Sequence, residues 1–166
     1  MRRFQCRPVI APLDHPLAHG GRIPLLRLPE ESFIVRERGS GTRNAIEHFL
    51  EQLGLTMTNH HGVSRNEAIK HAVMAGLGLG IVSIHTLQME FALDRLVVLN
   101  VERLPILKDW YIVYRAGKRF SVAAQAFKEF VLSESGNIIK IPQPKTGSKK
   151  KQSSRFIKIP QAEVDA

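Results

Sequence analysis

From Ser32 onward the chain alternates short runs of apolar residues with longer segments whose apolar positions recur every three or four residues. Ser32 to Arg36 predicts a strand, because β-branched and aromatic residues cluster there and Gly39-Ser40-Gly41-Thr42 then breaks the run. Ile46, Phe49, Leu50 and Leu53 follow at i, i+3, i+4 and i+7, one apolar face of a helix that Gly54 closes. Thr56 to Gly62 is a weak strand pattern, with Met57 as its strongly apolar residue. Ser64 is placed to cap a second helix, Arg65 to Ala75, whose stripe is Ala68, Ile69, Ala72, Val73 and Leu77 and which Gly76 ends. Leu79 to Ile84 predicts a buried strand, Leu87 to Ala92 a short helix or turn, and Leu96 to Val101 another strand. Trp110 to Tyr114, a run of large residues, predicts a returning strand before a helix capped by Ser121, with Ala123, Phe127, Phe130 and Val131 as its stripe. Alternating strands and helices of these lengths argue for parallel βαβ units in an α/β sandwich.

Ahead of this body, Arg7 to Ala11 predicts a strand ending at Pro12. Asp14-His15-Pro16 makes a turn, and Gly20-Gly21 with Pro24 to Pro29 forms an extended connector anchored by Leu25 and Leu28. From Gly136 the helical stripe stops. Prolines at 142, 144 and 160 and the run Lys149-Lys150-Lys151 among Ser and Gln predict a disordered basic tail over 136–166. Within it Ile139-Lys140-Ile141-Pro142-Gln143 is repeated as Ile157-Lys158-Ile159-Pro160-Gln161, a duplication of sequence in preference to a binding motif.

At 166 residues and 43% hydrophobic, the chain can bury one domain core or two small lobes. Its formal charge of +9 is uneven: residues 136–166 carry seven basic side chains against two acidic ones, which leaves the body at +4. A basic patch for nucleic acid would therefore lie in the tail. Lone Cys6 has no internal disulfide partner, which fits a reducing compartment. With no apolar run long enough to span a bilayer and no apolar centre behind Met1-Arg2-Arg3, the expected location is cytoplasmic.

A strand, a Gly-Ser-Gly-Thr turn and a helix start present unpaired backbone N–H groups at one point, beside the hydroxyls of Ser40 and Thr42. The first helical turn carries Arg43, with Arg38 just ahead of it, where Asp or Glu is favoured, and no capping box is present. One reading is an anion site whose negative charge is the ligand's. The other is a Thr-capped helix with two solvated arginines. Gly76-Leu77-Gly78-Leu79-Gly80 follows a helix and opens a strand, the reverse of a dinucleotide loop, so it reads as a helix stop with close backbone packing. Ser83, His85 and Asp94 include the residue types of a hydrolytic triad, but Ser83 has no Gly-x-Ser-x-Gly elbow. Ser83 and His85 stand instead at the end of a parallel strand, where ligands of such sheets bind. Adjacent His60 and His61 would point to opposite faces of a strand and so make a poor metal pair.

Arg36-Glu37-Arg38-Gly39-Ser40-Gly41-Thr42-Arg43, followed by Asn66 to Lys70 and Val73 to Ile81, resembles the effector-binding domain of the LysR-type transcriptional regulators. Ser83 to Leu87, Leu96 to Val101 and Trp110 to Arg119 are most similar to the regulators of RuBisCO operons, and the resemblance covers about Arg7 to Glu134. It implies a periplasmic-binding-protein-like (type 2) α/β fold of two lobes with lobe one incomplete. Residues 1–25 would end lobe one, 26–107 form lobe two, 108–135 return a strand and helix to lobe one, and 136–166 form the tail. The implied function is ligand sensing for carbon-fixation genes, with no catalysis, no cofactor and no metal. A small anionic effector, a phosphorylated metabolite or NADPH, would bind at Arg38, Ser40, Gly41, Thr42, Arg43, Ser83 and His85. Promoter DNA would be read only through an N-terminal helix-turn-helix that this sequence lacks, so the chain is expected to be a C-terminal portion, homo-oligomeric when intact. A solute-binding protein of the same fold, or a small-molecule enzyme on it, are the alternatives. The first is disfavoured by the lack of a signal segment, the second by the lack of an acid/base constellation.

Overall fold

The computed structural model of the chain describes residues 4–109, 111–138 and 142, and within them Pro8 splits the first apolar run into two strands. Proline has no N–H to donate to a ladder, so pairing stops there and resumes beyond it. In chain order the elements are β1 (Phe4–Arg7), β2 (Val9–Pro12), β3 (Phe33–Arg36), α1 (Gly41–Glu51), β4 (His60–Val63) and α2 (Asn66–Met74). They continue with β5 (Leu79–Ile81), α3 (Gln88–Ala92), β6 (Leu96–Val98), β7 (Ile106–Asp109) and α4 (Val122–Ile138), with short 3-10 turns at Pro16–Ala18, Leu25–Glu30 and Ile84–Thr86.

Five strands form one sheet in the order β4-β3-β5-β2-β6. β3 runs parallel to β4 and β5, whereas β2 is antiparallel to β5 and β6, so the sheet is mixed where sequence alternation predicted parallel units throughout. β1 and β7 pair antiparallel as a separate ribbon, Phe4 opposite Asp109 and Arg7 opposite Ile106.

The period of two along each strand sorts the core onto both faces of the sheet. Val9, Ala11, Phe33, Val35, Leu79 and Ile81 pack with Ile46 of α1 and with Leu25 and Leu28 of the connector. Ile10, Ile34 and Val82 pack on the other face with Ile69 and Val73 of α2 and Phe91 of α3. Burying each such side chain contributes about 1.5–3 kcal/mol, and these two layers hold the helices to the five-stranded sheet. The approach of α2 to β5 depends on Gly80, where an added Cβ would stand 2.8 Å from Val73 Cγ2 and 2.9 Å from Ile69 Cγ2. At Gly78, with φ +150°, it would stand 2.5 Å from the Ser32 carbonyl oxygen. The Gly76–Gly80 stretch is thus the helix stop and close packing that its sequence predicts.

Several boundaries differ from the sequence expectation. Residues 1–25 were expected to stand apart from 26–107 at the end of lobe one, but β2 lies between β5 and β6 with Val9, Ile10 and Ala11 completely buried, so it is a central strand of the sheet formed by strands of 26–107. A strand apolar on both faces goes wherever two sheet neighbours await it, and the run itself does not name them. Ser64 does not cap α2; Arg65 holds the N-cap position and its side chain makes no cap bond. Of the strand expected over Trp110 to Tyr114, Tyr111 to Tyr114 are not in a strand, and the strand of this region is Ile106–Asp109, whose partners are Phe4–Arg7 of β1. Trp110 lies outside the described residues, and Tyr111 and Val113 are 77% and 87% exposed. α4 begins as expected, with Ser121 Oγ accepting from Ala124 N at 3.3 Å, but it continues through Gly136 to Ile138. One glycine costs a helix about 1 kcal/mol and does not by itself stop it. Apart from these helical residues and Pro142, the tail and its repeat lie outside the described residues.

Candidate functional site

β3, β4 and β5 point the same way, so the segments that leave them gather at one carboxyl edge of the sheet. The helix after β3 packs on one face and those after β4 and β5 on the other, which puts a change of winding between adjacent β3 and β5. Crevices at such a point are where open α/β sheets take ligands. Arg38 to Thr42 leave β3 there, and Ser83 to Thr86 leave β5 beside them.

The turn after β3 follows from its residues. Gly39 takes φ +86°, in the left-handed region that glycine tolerates, and Ser40 then adopts the extended conformation of an N-cap. Ser40 Oγ accepts from Thr42 N at 3.3 Å, so Ser40 is the cap where the sequence also allowed Thr42. The first turn holds no acidic side chain, and the remaining early amides of a helix have no carbonyl behind them. Ser40 and Thr42 are half-buried, while Arg38 and Gly41 are exposed.

Arg43 is placed differently from its neighbours. Its side chain is 7% exposed: Nε donates to Glu47 Oε1 at 2.7 Å, Nη1 to the Arg36 carbonyl at 3.4 Å, and Nη2 reaches His60 Nε2 at 2.7 Å. It joins α1 to β3 and β4 as a brace, where the sequence suggested an open cation. Arg36 grips Glu37 with two bonds, of 2.8 and 2.9 Å, and reaches Asn66 Oδ1 at 3.3 Å, tying the end of β3 to the start of α2. The hydrogen bond between them holds the Arg36 guanidinium above and the Glu37 carboxyl below their ordinary ranges.

Ser83 is buried and its carbonyl accepts from both Thr86 N at 3.0 Å and Thr86 Oγ1 at 2.8 Å, which closes the turn that carries half-buried His85. Asp94 precedes β6, and β6 runs in the same direction as β5, so Asp94 stands at the amino edge of the sheet and Ser83 at the carboxyl edge. The triad residue types are therefore not brought together.

Two cations were not singled out in the sequence. Arg7, where β1 meets β2, is buried, and burial works against its charged form. Lys70 of α2 is buried among Glu67, Glu90 and the Thr86 carbonyl. Burial pulls its ammonium down, but the two carboxylates outweigh that and hold it above its ordinary value. An unaccompanied Lys on the flank of a helical stripe reads as solvated, and nothing in the sequence marks Glu90 as its partner. The hollow beneath α1, lined by Phe33, Ile46, Phe49 and Met57, is apolar and offers an anion no charge.

Residues 7–136 match the family model described as LysR substrate binding domain. The chain is 54% identical over 130 residues to a RuBisCO operon transcriptional regulator of Allochromatium vinosum, across 78% of this chain and 43% of that protein. It is 44% identical over 135 residues to the HTH-type transcriptional activator CmpR of Synechocystis sp., across 80% of this chain and 44% of the other. The solved regulatory domain of Synechocystis PCC6803 CcmR in complex with 2-PG matches at TM-score 0.75 and 37% identity, over 81% of this chain and 65% of that one. The effector binding domain of QuiR in complex with shikimate matches at TM-score 0.67 and 21% identity, over 82% of this chain and 64% of that one, a likeness of fold alone. The chain spans less than half the length of the curated relatives it matches.

Proposed function

The chain belongs to the family of LysR substrate binding domains, and we propose that it is the ligand-sensing portion of a transcriptional regulator of RuBisCO and carbon-fixation genes. Its fold is the α/β, periplasmic-binding-protein-like (type 2) fold of LysR effector-binding domains. The proposed ligand is a small anion, a phosphorylated metabolite such as the 2-PG of its solved neighbour or NADPH. The anion sits against the first-turn amides of α1 that the Ser40 cap leaves open, the hydroxyls of Ser40 and Thr42, and the charge of Arg38, with Ser83 and His85 facing it from the end of β5. Arg43 acts indirectly, by fixing the first turn of α1.

The observation that carries this reading is the capped, acid-free start of α1 at the carboxyl edge shared with β5, in a chain 37% identical to a regulatory domain solved with 2-PG. Sensing is supported over hydrolysis by the regulator relatives and by Ser83 and Asp94 standing at opposite edges of the sheet. Binding would shift the geometry of paired subunits, and promoter contact would fall to a helix-turn-helix segment of the kind that names its HTH-type relatives. Such a regulator acts in the cytoplasm; among the described residues no helix is long and apolar enough to cross a membrane.

Calorimetric titration with 2-PG tests the assignment. A charge-assisted hydrogen bond contributes about 1.5–3 kcal/mol, so Thr42→Ala with Arg38→Ala should weaken binding about tenfold or more. Unchanged affinity in that double variant would remove the ligand from the turn after β3.

A further inference from the structure

The Lys70 ammonium has three protons and three acceptors: Glu67 Oε1 at 2.8 Å on its own helix, Glu90 Oε1 at 2.8 Å on α3, and the Thr86 carbonyl at 2.9 Å. Its side chain is 5% exposed and that of Glu90 10%, so the charges meet out of water, where a lone ammonium would be costly. The third acceptor distinguishes this cluster from an ion pair that only joins two helices. Thr86 closes the turn after β5, its amide and hydroxyl both donating to the Ser83 carbonyl, so the chain of bonds runs from Lys70 through Thr86 to Ser83. α2 also begins at the same sheet edge, where Asn66 receives Arg36 from the end of β3.

We propose that Lys70, with Glu90, is the positioning residue of the ligand site: it holds the Ser83–Thr86 turn at the distance from the α1 start that an anion needs to touch both. This rests on the reading of that edge as the effector site. Lys70 touches no ligand itself; it sets where Ser83 and His85 stand. Because one bond of the cluster belongs to the turn and the others to α2 and α3, a shift of the turn on binding is felt directly by both helices.

The test replaces the buried pair by apolar residues of similar volume, Lys70→Met with Glu90→Leu, an exchange that folds commonly tolerate when both charges go together. Two quantities are read on the 166-residue chain: 2-PG affinity by calorimetry, and hydrogen exchange at the Thr86 and Leu87 amides with no ligand present. A thermal midpoint near that of the parent, with affinity down about tenfold and exchange at those two amides faster while α2 and β5 keep their protection, is the expected result. Parent-like affinity and exchange would overturn the proposal. A parent chain that takes up no 2-PG would speak against the site itself, and the exchange measurement would then judge the brace alone. Should the apolar pair fail to fold, Lys70→Gln with Glu90→Gln removes the charges and keeps hydrogen-bonding groups in place, and the same two readouts decide.

Discussion

Arg43 Nη2 lies 2.7 Å from His60 Nε2, and since a guanidinium can only donate, His60 accepts there and carries its proton on Nδ1, 3.0 Å from the Met57 carbonyl. The first turn of α1 is thereby fixed to β4, one of the two edge strands of the sheet. Removing the guanidinium leaves the Arg36 carbonyl and His60 Nε2 without this donor. Arg43→Met is expected to lower stability by about 1–3 kcal/mol in urea unfolding. Glu47→Gln, which alters a half-exposed partner, should cost about 0.5 kcal/mol or less. An unmoved midpoint for Arg43→Met would mean that the brace contributes nothing.

Close packing at Gly80 gives a second expectation. Gly80→Ala drives a methyl into Val73 and Ile69 and should destabilise by about 1–3 kcal/mol. Gly41→Ala meets nothing within 4 Å and should be near neutral. Equal thermal midpoints for these two variants would contradict the packing described between α2 and β5.

Cys6 supplies a pH dependence. It is 1% exposed, and burial pushes its thiol up to about 11 from an ordinary 9.0, with the Arg7 charge pulling the other way. The folded thiol keeps its proton where the unfolded one has lost it. Its contribution to stability is therefore complete below pH 9 and is lost as pH rises towards 11, by up to about 1.4 kcal/mol per pH unit. Cys6→Ala should flatten that part of the curve, and native Cys6 should react slowly with a thiol reagent at pH 8 until urea is added. Rapid labelling of the native chain would show that the thiol is accessible.

How far the sequence foretold these features differs from residue to residue. The stripe of Ile46, Phe49, Leu50 and Leu53 was legible because a helix imposes its period on its own residues, and the glycines at 76–80 were legible because a helix and a strand must meet closely between them. Val9 to Ala11 were readable as a strand but not as a member of this sheet, since pairing partners are set far along the chain. Lys70 was missed for the same reason: its burial depends on Glu90, on another helix. The placement of Ser40, Thr42, Ser83 and His85 along one edge follows from strand direction. Arg43 departs from that group because Glu47, one turn on, and His60, on the neighbouring strand, draw its side chain inward.

Beyond β7 the apolar residues find little cover. Val122, Phe127, Phe130 and Leu132 of α4 are 89%, 67%, 53% and 65% exposed, beside exposed Tyr111 and Val113. Apolar surface of this extent favours association. Sedimentation velocity should show the chain self-associating with concentration, and Phe127→Gln with Phe130→Gln should shift it towards monomer. A parent chain that sediments as a monomer at every concentration would mean that this face stays covered in solution.

The most direct test of the anion site is an amide-resolved NMR titration of the chain with 2-PG. The account predicts saturable shifts centred on Gly41 and Thr42 after β3 and on Ser83 and His85 after β5, with the amides around Asp94 at the opposite edge unmoved. Shifts confined to the apolar hollow beneath α1 or to the Asp94 edge, with Gly41 and Thr42 silent, would contradict it.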